Sequence, residues 1–323
     1  MGSNVAQTQV RYHSKVKKRN SVLQSIIRNR ALLVMMIPTF LFVLLNKYIP
    51  IFGVLIAFKK VNYRAGILGS PWVGFENFKF LFQTDAAWRM TRNTILYNVA
   101  FIIIGLVLAV AIAIAFSELR NRFGSKAYQT MMIMPHFLSM VVVSYIVYAF
   151  LNPEYGFINK VVLESAGGES VNWYSQPKYW PFILLITRMW HNAGYSSILY
   201  VATIAGIDQE MYGAAVLDGA TKWQQIRHIT IPFLRPVMII ILIMSMGGII
   251  KGDFGLFYQV TLDSPMLYPV TDIIDTYVYR SLINLNDIGM SSAAGFYQSV
   301  VGCFMVLAAN LLVRKIDKDQ AMF

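Results

Sequence analysis

The chain has 323 residues, of which 56% are hydrophobic and only 14% charged, with a formal net charge of +12. A water-soluble globule of that composition would lack the charges to cover its surface, so the bilayer is the solvent the sequence is written for. The single cysteine, Cys303, excludes a disulfide framework and a cysteine metal site.

Residues 1–30 form a polar arm with Arg11, Lys15, Lys17, Lys18, Arg19, Arg28 and Arg30 and no acid. A secretory signal would place an apolar core near the N-terminus, so this arm reads as part of the mature chain. Bases directly before a first span hold the N-terminus in the cytoplasm and meet anionic lipid, a reading we prefer to nucleic-acid binding.

Six apolar runs follow: Ala31–Phe58, Ile95–Phe116, Tyr128–Leu151, Pro181–Ile207, Pro232–Ile250 and Ala293–Val313. At about 1.5 Å per helical residue each can cross roughly 30 Å of hydrocarbon. The expected fold is therefore an all-α integral membrane protein with six spanning helices over residues 31–315 and a cytoplasmic tail, 316–323. Lys47 and Pro50 interrupt the first run, which predicts a span of about twenty residues followed by an interfacial helix.

With the N-terminus inside, Arg120, Arg122 and Lys126 between the second and third runs are cytoplasmic, as are Arg314, Lys315 and Lys318. The outer loops are 59–92 and 152–180. The first breaks the positive-inside pattern. Both carry turn formers and interleaved aromatic residues, suited to the headgroup region or to a partner outside.

No catalytic constellation is visible. His13, His136, His191 and His228 are scattered, without a carboxylate or second histidine at ligand spacing, so no metal site is expected. Gly247 and Gly252 have phosphate-loop spacing, but Asp253 and Phe254 follow where Lys and Ser or Thr are required. The DFG at Asp253–Gly255 lacks every other kinase signature.

Ionisable groups at membrane depth are functional candidates by default. In the fourth run Arg188, His191, Asn192 and Tyr195 recur at spacings of three and four, along one helical face. Counted outward from Pro232, Lys251 and Asp253 lie at roughly 28 and 31 Å, near the outer mouth, with Tyr258 just beyond. Two readings stand side by side: Arg188 pairs with Asp253 and staples two helices, or these groups, with Tyr297 and Gln298 of the last run, line a polar, aromatic pocket open to the outside. Sugars suit such a pocket, because rings stack on aromatic faces while hydroxyls need amide, phenol and charged partners. Arg188 with Lys251 would further favour a carboxylate.

The polar insert 208–232 lies between the fourth and fifth runs, on the cytoplasmic side. Its pattern predicts two short helices, Met211–Leu217 and Thr221–His228, divided by a turn at Asp218 and Gly219, with Asp218 available to cap the second. The spacing of Ala214, Ala215, Asp218, Gly219, Ala220, Ile229 and Pro232 resembles the EAA loop of ABC importer permeases. The stretches NKYIPIFGVLIAFKK, SPWVGFENF, RNTILYN and MPHFLS are similar to the carbohydrate branch of that family, of polysaccharide and lipoprotein type. Within that branch the chain looks most like permeases serving acidic fragments such as alginate or rhamnogalacturonan.

The resemblance implies a type I permease fold in the bacterial cytoplasmic membrane, with both termini cytoplasmic. It implies a second homologous permease subunit, two ATP-binding subunits that carry the ATP and Mg, and an extracytoplasmic binding protein delivering an oligosaccharide. This chain itself would hold no cofactor and hydrolyse nothing. The EAA loop would be the coupling helix seated in the ATPase cleft, with Tyr212, Lys222 and Arg227 beside the motif residues. Gly213 stands where the family has its acid, so docking here would rest more on shape. The same acidic-substrate machine, a neutral-sugar version of it and a self-contained secondary transporter are the readings to separate.

Overall fold

The computed structural model describes residues 29–119 and 122–316. The basic arm up to Arg28, Arg120, and the tail that holds Lys318 lie outside the described residues. Every regular element among those described is helical, apart from one antiparallel bridge between Lys59 and Trp72.

Helix α1, Arg30–Val43, buries none of its side chains within the chain. Beyond it the helix widens over Leu44–Tyr48 and tightens over Ile49–Phe58. Lys47 and Pro50 therefore change its pitch without starting the separate interfacial helix expected there.

The described residues from Val54 onward form a compact unit of their own. Its axis is a pair of long helices, α2 (Ala86–Ser117) and α5 (Trp180–Ala205), packed along one another. Ala109 and Ala113, one turn apart on α2, are buried with Tyr200, Ile204 and Leu234. Small residues suit that seam, because lipid supplies no hydrophobic drive between helices and close backbone approach replaces it.

The third apolar run is not one helix. It consists of α3 (Arg122–Ile133), a tight turn at Met134–Phe137 and α4 (Met140–Leu151), and the two arms diverge by 100°. Pro135 supplies the break, since it has no N–H to donate and its ring crowds the preceding turn. Ser139 restarts the helix by accepting the Val142 N–H at 3.3 Å. His191 of α5 hydrogen-bonds the Leu138 carbonyl that the break releases, Nε2 to O 3.1 Å.

After the polar insert come α8 (Ile231–Met246), α9 (Ile274–Ile283) and α10 (Ile288–Ile316). The fifth run was expected to stay helical to Ile250. Helix α8 stops at Met246 and the chain turns at Gly247 and Gly248, so Lys251 and Asp253 stand on the segment after it. Among the described residues four helices are long and apolar enough to cross a bilayer, and the bent α3–α4 pair supplies a fifth crossing if it counts as one span. Helix α5, interrupted by Arg188, His191 and Asn192, is long enough but less apolar.

The loop 59–92 keeps most of its bases occupied. Lys59 is 4% exposed and donates to the carbonyls of Ile67 and Leu68 at 3.0 and 2.8 Å. Arg89 pairs with Asp272 at 3.1 Å, and Arg92 donates to the Pro269 carbonyl. Asp272 is almost fully buried and also pairs with Arg280, which in turn holds Asp263. Burial pushes the Asp272 carboxyl above its ordinary range, against the opposing pull of Arg280 and Arg89.

The second outer loop is built around Asn159, which is fully buried. Its amide donates to the carbonyls of Asn152, Pro153 and Val171, and its oxygen accepts the Trp173 indole N–H at 3.0 Å. One buried amide thus ties together a loop whose regular structure is limited to short helical turns.

Candidate functional site

A cavity of about 870 Å³ lies along α2, α5 and α8. Arg188, Asn192 and Tyr195 line it from α5, Asn98 and Phe101 from α2, Ser245 from α8, and Lys251 from the segment beyond. The structure therefore brings together four of the residues singled out in the sequence: Arg188, Asn192, Tyr195 and Lys251.

Arg188 also pairs with Asp253, and its guanidinium lies 5.7 Å from the Phe101 ring centroid. The two readings of Arg188 are not exclusive, because the same side chain staples α5 to the segment after α8 and borders the cavity. Asp253 uses both oxygens, one for Arg188 and one for the Leu256 N–H at 3.1 Å. Lys251 is exposed and makes no ion pair among the described residues. It is the cavity's available positive charge.

The other candidates stand elsewhere. His191 is turned to the α3–α4 break, where it holds Leu138. Tyr258 stacks on Phe254 at 5.0 Å and meets Tyr279 edge-on. The Tyr297 hydroxyl bonds Thr91 at 2.8 Å, and Gln298 donates to the Ile250 carbonyl and to Asp275. Gln298 and Asp275 thus brace the turn after α8, since Asp275 also accepts the Gly252 N–H at 2.7 Å.

Asn98 escaped the sequence reading. Its amide donates to the carbonyls of Ile249 and Lys251 at 2.8 and 3.1 Å, fixing the strip of backbone that carries Lys251. An amide inside the apolar run Ile95–Phe116 is itself a signal, because a polar side chain in a span needs a partner.

The polar insert folds as α6 (Gln209–Leu217), a turn, and α7 (Lys222–Gln225), which leads through a wide turn at Ile226–Thr230 into α8. Asp208 caps α6 through the Glu210 N–H at 2.9 Å. Gly219 adopts φ +77°, the left-handed conformation a helix-ending residue needs and glycine takes without steric cost. Thr221, not Asp218, caps α7: Thr221 and Gln224 exchange side-chain and backbone hydrogen bonds, while Asp218 closes α6. The Tyr212 hydroxyl ties α6 to Thr230, 2.9 Å away, at the start of α8.

The outer side of the insert is open. Leu217 is 90% exposed and Trp223 67%. Ala214, Gly213 and Arg227 are exposed too, and a shallow cleft of about 320 Å³ runs between Ala215, Asp218, Gly219, Ala220, His228 and Ile229. Pro232 enters at the first turn of α8, where its missing N–H costs nothing. A Cβ placed on Gly213 meets nothing within 4 Å. Lys222 reaches across to Glu118, 3.1 Å away, at the C-terminal end of α2.

A cavity with Arg188, Asn192 and Lys251 in a mostly apolar wall is thus joined through α8 to a capped helical loop. Residues 102–318 match the profile of the family described as binding-protein-dependent transport system inner membrane component, and the chain belongs to that family. Protein LplB of Bacillus subtilis (strain 168) is 32% identical over 299 residues, 93% of each chain. The polygalacturonan/rhamnogalacturonan transport system permease protein YteP of the same organism is 31% identical over 94% of each chain. Among solved structures, a chain of a bacterial ABC transporter involved in the import of the acidic polysaccharide alginate superposes with a TM-score of 0.82 at 32% identity, covering 91% of this chain and 99% of that one. A chain of the bacterial alginate transporter in complex with an alginate pentasaccharide-bound periplasmic protein gives 0.81 at 31% identity, with 92% and 98% covered.

Proposed function

We propose that the chain is one of two membrane-spanning subunits of an ABC importer for acidic oligosaccharides. It crosses the bacterial cytoplasmic membrane six times, with α5 as the polar-faced span and both termini in the cytoplasm. An extracytoplasmic binding protein delivers the sugar to the outer loops, and two ATP-binding subunits, holding ATP and Mg, take the α6–α7 loop as their coupling helix. The observation that carries this reading is the likeness, over 91% of the chain, to a chain of the alginate importer.

ATP-driven closure of the ATPases would move the α6–α7 loop, and the Tyr212–Thr230 contact would pass that motion to α8, which borders the cavity. Arg188 shares its charge with Asp253, and Lys251, without an ion pair among the described residues, is the second cation that a uronate carboxylate would meet in the cavity. Lys251→Gln in the reconstituted complex should lower ATPase stimulation by uronate-loaded binding protein about tenfold, the worth of one charge-assisted hydrogen bond. Stimulation by a neutral oligosaccharide should stay unchanged. Wild-type complex stimulated equally by neutral and acidic sugars would sink the acidic preference, and transport by this chain alone without nucleotide would sink the ABC reading.

The loop carries Gly213 at the position of the family's acid, and its surroundings leave room for one. Gly213→Glu should keep the fold, stabilise α6 by roughly 0.5 kcal/mol, and raise stimulated ATPase at low ionic strength more than at high. ATPase unchanged at both salt concentrations would mean that this loop docks by shape alone.

A further inference from the structure

Three neutral side chains border the cavity with their donor hydrogens already committed. The Asn98 amide spends both of its hydrogens on the carbonyls of Ile249 and Lys251, at 2.8 and 3.1 Å. The Asn192 amide donates to the Arg188 carbonyl at 3.3 Å and faces His191 Nδ1 at 3.2 Å. At its other nitrogen, Nε2, His191 meets the Leu138 carbonyl. A carbonyl only accepts, so the neutral imidazole carries its hydrogen on Nε2, and Nδ1 accepts the second Asn192 hydrogen. The Ser245 hydroxyl donates its one hydrogen to the Ile241 carbonyl at 2.8 Å.

What these groups leave for the cavity is oxygen. Oδ1 of Asn98, Oδ1 of Asn192 and Oγ of Ser245 accept no hydrogen bond among the described residues. Both amides are fixed in that orientation, because turning either over would set its oxygen against a backbone carbonyl. The hydroxyls of Tyr195, Ser196 and Tyr200 can turn to donate or to accept, so they do not discriminate. Arg188 and Lys251 donate, and in an acidic sugar the carboxylate takes them.

Building on the sugar-importer reading above, we propose that the cavity passes sugars whose hydroxyls are free and turns away those that are O-acylated. A free hydroxyl donates to one of the waiting oxygens. An ester in its place has no hydrogen to give, so acceptor faces acceptor and the amide oxygen loses water without gaining a partner. Size is not the filter, since about 870 Å³ leaves room for an acetyl group. An acylated polymer therefore has to meet an esterase before import. Water cleaves the acyl–oxygen bond there, leaving the sugar hydroxyl and a free carboxylic acid.

The test uses the complete complex in proteoliposomes that enclose ATP, supplied with binding protein saturated with a free or an O-acetylated oligouronate of the same length. Sugar uptake is measured for each. Wild type should import the free form about tenfold faster, the worth of a hydrogen bond lost with its acceptor left unpaired. Asn192→Ala/Ser245→Ala removes two of the oxygens and should bring that ratio down to about two. Ser245→Ala alone, which leaves the helix backbone untouched, should already bring it to about five. A merely damaged complex slows both forms alike and keeps the ratio, so the ratio reads the cavity and not the fold. Equal uptake of the two forms by wild type overturns the selection by hydroxyls, and so does a ratio that both variants leave unchanged. ATP-dependent uptake of neither form by wild type overturns the importer reading and this one with it, whereas equal uptake removes only this one.

Discussion

Gly194→Ala should leave little or no assembled complex to purify. A Cβ built on Gly194 of α5 falls 1.9 Å from the carbonyl oxygen of Met132 and 2.3 Å from its carbon. Both are backbone atoms of α3, so no rotamer change relieves the clash and one of the two helices has to move. Helix α5 is held against α2 along its length and by His191 at the α3–α4 break, while α3 leads straight into that break. Overpacking a rigid site costs about 1–3 kcal/mol or more, and a backbone-to-backbone contact belongs at the upper end. Gly213→Ala is the internal control, because its Cβ meets open space and an exposed helix gains from the exchange. A Gly194→Ala complex recovered at wild-type yield, with an unchanged melting temperature, would show that α3 and α5 do not touch this closely.

How much of this was legible in the sequence depends on the kind of information a residue carries. Hydrophobic length marked the helices able to cross a bilayer, four among the described residues or five with the bent pair, and the small residues of the insert marked two helices around a glycine turn, because both signals are local. Pro135 was equally visible, but whether a span bends or ends beyond a proline depends on what receives the carbonyls at the break, and His191, which takes that of Leu138, stands 53 residues away. Asp218 was read as the cap of the second helix, and only the reciprocal contact with Gln224 gives that place to Thr221. Gly194 gives no local sign of its role, since a missing side chain matters only for the neighbour it admits. The bases of the first outer loop were read as a departure from the charge rule. They are held by partners such as Asp272, which lies 183 residues along the chain from Arg89. Periodicity assigned Arg188, His191, Asn192 and Tyr195 to one stripe, but it could not say that His191 faces a neighbour while the other three face space.

Arg188 is where the structural and transport roles meet, and a pair of variants separates them. Arg188→Gln alone leaves the half-buried Asp253 carboxylate without its partner and should cost about 1–2 kcal/mol. The complex should melt lower, and its uronate-stimulated ATPase should fall for that reason whatever Arg188 does for the substrate. Adding Asp253→Asn removes the stranded charge, while the amide oxygen can still accept the Leu256 N–H that Asp253 now caps. The double variant should therefore recover most of the melting temperature. What it should not recover is the response to uronate, because the guanidinium bordering the cavity is gone and Lys251 alone cannot give two parallel hydrogen bonds to a carboxylate. If Arg188→Gln/Asp253→Asn regains both stability and uronate-stimulated ATPase, Arg188 is a staple and nothing more. If it regains only stability, the residue that joins the two helices is also one that the sugar meets on its way through.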